Sequence, residues 1–192
     1  MAVKRILRFP DEEARLRKPS ENVKKINSKI RTLVQDLKDT LATYPGAGLA
    51  APQIGVHQRV ALVRLGQNEG ALQPPLTLIN PEILSEGPLS KGFDGCLSLP
   101  KIATWDSLRP SWLRFRAMGE DGETFEMRVE GINAIVVHHE IDHLDGIFFL
   151  DRLSEDAKLF IAIETQDGEK MVELDSLAFR GLTSPPAKDS NP

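Results

Sequence analysis

The chain has one cysteine, one tyrosine and two tryptophans in 192 residues. A lone cysteine excludes an intramolecular disulfide and makes a reducing compartment the natural setting. No run approaches the ~18 consecutive apolar residues that a membrane helix needs. Neither sign of charge dominates. There are 24 Lys and Arg against 28 Asp and Glu, a formal net charge of −4, which argues against a broad nucleic-acid-binding surface. The opening stretch, "MAVKRILRFPDEEARLRK", has no uninterrupted apolar core and turns acidic at Asp11. Neither a secretory signal nor a transit peptide is expected there. A cytoplasmic location is expected, with a mature organellar form as the alternative.

What is present is a patterned, single-domain-sized sequence without internal repeats. Val23, Ile26, Ile30, Leu33, Val34, Leu37 and Leu41 recur at spacings of three and four, which predicts an amphipathic helix. Ser20, Asn27 or Ser28 can cap its start, and Pro45 and Gly46 end it. Strand-like runs follow at 59–64, 76–81 and 101–105. "SWLRFRAM" and "TFEMRVE" alternate apolar and polar residues around the turn signal "GEDGE", which predicts a hairpin. "GINAIVVHHEIDHLDG" then returns to helical spacing, with Ile132, Ile135, Val136, His139 and His143 on one stripe and Gly146 as C-terminal cap. Beyond residue 151, "KLFIAIETQDGEKMVEL" reads either as a helix end or as a hairpin about Asp167 and Gly168. "TSPPAKDSNP" reads as a disordered tail. Helix, strands, helix is the order of an α+β protein.

Histidine is scarce too, yet three of the four fall within residues 138–143. His139, Glu140 and His143 form the pattern His-Glu-x-x-His. On a helix, residues four apart lie only about 40° off one another, so two imidazoles can aim at one metal ion. Glu140, about 100° further round, is placed to act as a base rather than a ligand. Two nitrogens make an incomplete site. A His-x-x-Gly-x-x-His extension fails, because Gly146 is followed by Phe149 where a histidine is needed. Glu164 lies about twenty residues downstream, but in a stretch with no clear helix; the remaining candidate is Cys96 in "DGCLSLP", whose thiolate suits zinc or ferrous iron. A structural zinc site would want a fourth protein ligand, and none stands out.

"GAGLAAPQ" (46–53), "DGCLS" (94–98) and "HEIDH" (139–143) stand in the order and approximate spacing of the peptide deformylase motifs. "ILRFPDEEARLRKPSENV" and "LINPEIL" resemble that family as well. The likeness covers about residues 4–153. It implies a catalytic domain over 1–153, with antiparallel sheets packed around a central metal-binding helix, and leaves 154–192 as a C-terminal extension, partly irregular or disordered. The implied activity is metal-dependent removal of the N-formyl group from the formylmethionine of newly made polypeptides.

The resemblance further implies Cys96, His139 and His143 as ligands of one divalent ion. Ferrous iron is the expected metal, with zinc, nickel or cobalt as substitutes. Glu140 is implied as general base and acid, with the side-chain amide of Gln53 and the backbone N–H of Leu97 as oxyanion donors. Gly46, Gly48 and Gly95 are implied to lie along the substrate backbone, and Ala47, Ile132, Ile135 and Val136 to line the methionine pocket. Core packing is the plain alternative for Ile132 and Ile135.

The sequence departs from the family in three places. Asp94 replaces a common Glu, with Arg109 as its expected partner. His138 stands where Gln is frequent, and reads as a supporting or surface residue. Residues 153–192 carry eight acids against four bases, where many bacterial members have a basic helix thought to dock on the ribosome. That balance suits RNA poorly, so a ribosome contact through this extension is not expected.

Overall fold

A computed structural model describes residues 2–66, 74–165 and 168–174. In chain order the elements are α1 (Glu13–Leu16), α2 (Ser28–Leu41), β1 (Gly48–Ala50), β2 (Val60–Val63), β3 (Leu76–Glu86), β4 (Leu89–Cys96), β5 (Leu99–Pro110), β6 (Trp112–Met118), β7 (Thr124–Glu130), α3 (Ile132–Leu144), β8 (Leu159–Thr165) and β9 (Gly168–Leu174). Short 3-10 turns cover Ala51–Ile54 and Phe149–Arg152. The strands form two antiparallel sheets, one ordered β1-β2-β3-β6-β7 and the other β4-β5-β8-β9. The class is α+β, as the element order predicts.

The amphipathic helix is shorter than its periodicity. Asn27 caps it, its side chain accepting from the Ile30 N–H at 3.2 Å, so Val23 and Ile26 precede α2 rather than belong to it. Ile30, Leu33, Val34, Leu37 and Leu41 pack with Leu49, Val60, Leu62 and Ile79 on one face of the five-stranded sheet. The opposite face, through Val63, Leu78, Leu113, Phe115 and Val129, packs on Val137 and Ile141 of α3. Covered on both sides, β2 is buried at every residue, and its unbroken apolar run reflects that.

Helix α3 lies between the sheets, in contact with β1, β2, β6 and β7 of one and β4 and β5 of the other. Every residue from 136 to 144 is buried. A single apolar stripe therefore understates it: the helix is enclosed on all sides, and His138, Glu140 and Asp142 are interior as well. Its C-terminal end turns at Gly146, where φ is +73° and a Cβ would stand 2.1 Å from the Arg17 carbonyl oxygen. Only glycine meets both demands.

Of the two readings of residues 158–174, the hairpin is the one observed, with Thr165 paired to Gly168. It extends the second sheet through β5, and Leu159 enters the core beside Phe148, Phe149 and Leu150. The tail at 183–192 lies outside the described residues. Among the described residues no helix is long and apolar enough to cross a membrane.

Candidate metal centre

Two elements build the centre. From α3, one turn apart, the Nε2 atoms of His139 and His143 converge to 3.1 Å. From the end of β4, Cys96 places Sγ 3.2 Å from His143 Nε2. All three side chains are buried, and their donor atoms lie within 4.8 Å of one another. Bonds of about 2.0–2.3 Å from N and S to a tetrahedral ion put donors roughly 3.4–3.6 Å apart, so this group fits one ion with little adjustment. Alternation along β4 sends Asp94 and Cys96 inward and Phe93 and Gly95 outward. Register shifts between Gly92 and Asp94, and again between Gly95 and Cys96, re-aim both inward residues, a common use of irregularity beside functional sites.

The chemistry of the donors fits a cation as well. Burial pushes the Cys96 thiol up, but the imidazoles of His143 and His139 outweigh it and hold the group well below its ordinary value. The thiolate that a metal needs is the favoured form. The His139 Nδ1–H donates to Asp94 Oδ1 at 2.7 Å. This contact orients the ring and frees Nε2 for the centre. Against the effect of burial, the Asp94 carboxylate raises His139 well above the usual imidazole value, so a cation bound here would displace a proton from Nε2.

Asp94 is fixed in turn. Its Oδ2 accepts from Arg109 Nε at 2.8 Å and from Ser107 Oγ at 3.0 Å. Arg109, with no exposed surface, also bonds Asp142 and lies 2.6 Å from His138 Nδ1. Asp142 takes a second guanidinium, Arg152, at 2.7 Å. Burial pushes the Asp94 and Asp142 carboxyls up, yet the cationic partners win, and both sit well below the ordinary carboxylate range. The pairing of Asp94 with Arg109 is the one the family resemblance implies. His138 is a supporting residue and not a surface one. Asp142, Arg152, Ser98 and Ser107 were not singled out by the motifs. Two of them lie within quoted motifs, Ser98 at the end of "DGCLS" and Asp142 in "HEIDH", four residues from His138.

Glu140 is different. Its Oε2 is buried without a hydrogen-bond partner, and burial pushes its carboxyl up to about 7 against the pull of the neighbouring imidazoles. A Cβ on Gly48 would stand 2.4 Å from Glu140 Oε1, so β1 passes directly over this carboxylate. Gln53 is anchored by its own oxygen, which accepts from the Ala50 N–H at 2.8 Å. That bond assigns the amide and turns its NH2 towards Ser98 Oγ, 3.2 Å away, and Cys96 Sγ, 3.6 Å away. A Cβ on Gly46 would meet Leu97 Cδ1 at 2.8 Å, which brings the 46–48 segment against the turn after β4.

The other sequence candidates separate. Val136 is core, Ala47 packs on the same cluster, and Ile132 and Ile135 are half-buried. Gly92 rather than Gly95 is sterically bound to that wall: a Cβ there would meet Ile135 Cδ1 at 2.5 Å, whereas one on Gly95 finds ordinary contacts. Glu164, the rival third ligand, is exposed on β8 and paired with Lys101 at 3.2 Å. It takes no part in the metal-binding group.

Fold and site together define a class: an α+β hydrolase scaffold whose central helix offers two histidines and a free carboxylate to a cysteine on a neighbouring strand. Comparison with known proteins narrows it. The polypeptide deformylase family matches residues 3–159. The peptide deformylase of Alkalilimnicola ehrlichii is 46% identical over 81% of this chain and 84% of its own length. Peptide deformylase 1 of Bacillus subtilis is 38% identical over 81% and 92%. The crystal structure of peptide deformylase from Ehrlichia chaffeensis in complex with actinonin superposes with a TM-score of 0.72 at 35% identity, covering 81% of this chain and 91% of that one. The chain belongs to the polypeptide deformylase family. Its reaction is hydrolysis of the N-formyl group from the terminal formylmethionine of new polypeptides.

Proposed function

We propose that Cys96, His139 and His143 hold one divalent ion, with ferrous iron as the working metal and zinc, nickel or cobalt able to replace it, and that Glu140 is the general base and acid of deformylation. The observation that carries this reading is the buried, unpartnered Glu140 carboxylate beside three converging donors. An ion held by these three residues would supply Lewis acidity towards water and the formyl group. Glu140 takes the proton of the attacking water and hands it to the leaving amine. A buried carboxylate whose Oε2 has no other partner suits both transfers. The Gln53 amide and the Leu97 N–H stabilise the oxyanion, and one such donor is typically worth about 3 kcal/mol.

The substrate lies extended between the 46–48 segment and the strand end at Gly95, hydrogen-bonding as an added strand. Ala47, Ile132, Ile135 and Val136 take the methionine side chain, with Gly92 leaving room for Ile135. The catalytic unit is residues 1–153, acting in the cytoplasm on nascent chains, without a basic ribosome-docking extension in the acidic 154–192 stretch.

Formate release from formyl-Met-Ala-Ser tests the reading, using protein loaded anaerobically with ferrous iron beside its Glu140→Ala variant. Turnover in the first and its loss in the second, at equal metal content, is the expected result. Turnover that survives Glu140→Ala would overturn the assignment of the base.

A further inference from the structure

We infer that Arg8 is a positioning residue for deformylation, holding the turn after β4 so that the Leu97 N–H points at the developing oxyanion. The inference rests on the reading of Gln53 and Leu97 as oxyanion donors. Residues 97 and 98 join β4 to β5, and the centre depends on them. The Ser98 N–H donates to Cys96 Sγ at 3.4 Å, and Ser98 Oγ accepts from Gln53 Nε2 at 3.2 Å. Cys96 pairs with Leu99 across the turn, but the β4–β5 register shifts between Gly95 and Cys96, so this last pair is not continuous with the ladder behind it.

Residues 7–9 fix it from outside. The Leu7 N–H donates to the Gln53 carbonyl at 2.8 Å, and the Phe9 N–H donates to the Ser98 carbonyl at 3.0 Å. Between them the Arg8 guanidinium donates to the Leu97 carbonyl. One short segment thus ties together the residues that carry both oxyanion donors. Leu7 and Phe9 are buried in the core, while Arg8 between them is half-buried and reaches the turn. Its backbone is braced too, since the Arg8 N–H donates to Glu12 Oε2 at 3.0 Å.

The geometry explains why a cation is used. The Leu97 carbonyl and the Ser98 N–H belong to one planar peptide unit. The guanidinium grips its oxygen while its N–H faces the Cys96 sulfur, so the unit is pinned at both ends by charge-assisted bonds. A pinned unit restrains its neighbour, the peptide that bears the Leu97 N–H. Removing the guanidinium leaves the Leu7 and Phe9 backbone bonds in place. The fold is then retained while the aim of the donor loosens, and small displacements of this kind are expensive in rate.

The test is steady-state formate release from formyl-Met-Ala-Ser by the ferrous full-length chain, comparing wild type with Arg8→Ala, Arg8→Lys and Gln53→Ala, with metal content measured for each. Arg8→Ala should lower kcat about tenfold or more while KM stays within about twofold and one metal per chain is kept. Arg8→Lys should recover most of the loss. Wild-type kcat in Arg8→Ala would overturn the inference, and so would a raised KM at unchanged kcat, which marks a substrate contact instead. If Arg8→Ala binds less metal or melts early, Arg8→Lys decides: recovery of kcat supports the inference, and a loss as deep as that of alanine overturns it. Gln53→Ala separates the two readings. If it loses kcat and Arg8→Ala does not, only the role of Arg8 falls. If Gln53→Ala retains kcat, the oxyanion reading falls and the inference with it.

Discussion

Gly48→Ala isolates the base from the metal. The added methyl would lie 2.4 Å from Glu140 Oε1 and 2.7 Å from its Cγ and Cδ, where ordinary contact begins at 3.4 Å. Something must move by about 1 Å. Strand β1 is held by its pairing with β2, Gly48 opposite Val63, whereas the Glu140 carboxylate has a free oxygen. The side chain therefore yields, at a cost of about 1–3 kcal/mol in stability for overpacking. The ligands lie elsewhere, so metal content should stay at one per chain. A catalytic group displaced by about 1 Å costs on the order of 100-fold in rate. The assay is kcat for formate release beside metal analysis and a thermal melt. A variant that keeps one metal and turns over within about twofold of wild type would refute the placement of Glu140 at the reacting atoms.

Further outcomes follow from the same geometry. Cys96→Ala should abolish stoichiometric metal binding by metal analysis, while Glu164→Ala leaves it unchanged; the reverse pattern would restore Glu164 as the third ligand. Asp94→Asn leaves the buried Arg109 cation short of one partner and should cost about 3–5 kcal/mol, read by denaturant unfolding, while Asp94→Glu should be milder. The Asp94 and Asp142 carboxyls are depressed in the folded chain. Their stabilisation is therefore whole above the unfolded value of about 3.9 and is lost as pH falls below it. Melting temperature should drop on acidification below about pH 4, and a flat profile there would contradict the network.

Local sequence determined much of this protein. The 3.6-residue period marked α3 and set His139 and His143 one turn apart on one face, because spacing along a helix is a property of the backbone alone. The alternation of Leu113, Phe115 and Ala117 likewise marked β6, and "GEDGE" its hairpin. What the backbone period could not supply was the third ligand. Cys96 lies 47 residues from His143, and only the packing of β4 against α3 brings its sulfur to the imidazoles. On the sequence alone Glu164 is available but lies in a stretch with no clear helix, which leaves Cys96 ahead; exposure of Glu164 on β8 separates the two in the structure. The same holds for Arg109, which has no local signature, yet joins Asp94, His138 and Asp142 because a buried charge must find its partners in three dimensions. The enclosure of α3 on all sides, the hairpin of β8 and β9, and the grip of residues 7–9 on the turn after β4 are tertiary facts of the same kind. Each depends on which surfaces meet, and sequence periodicity records only that a surface exists.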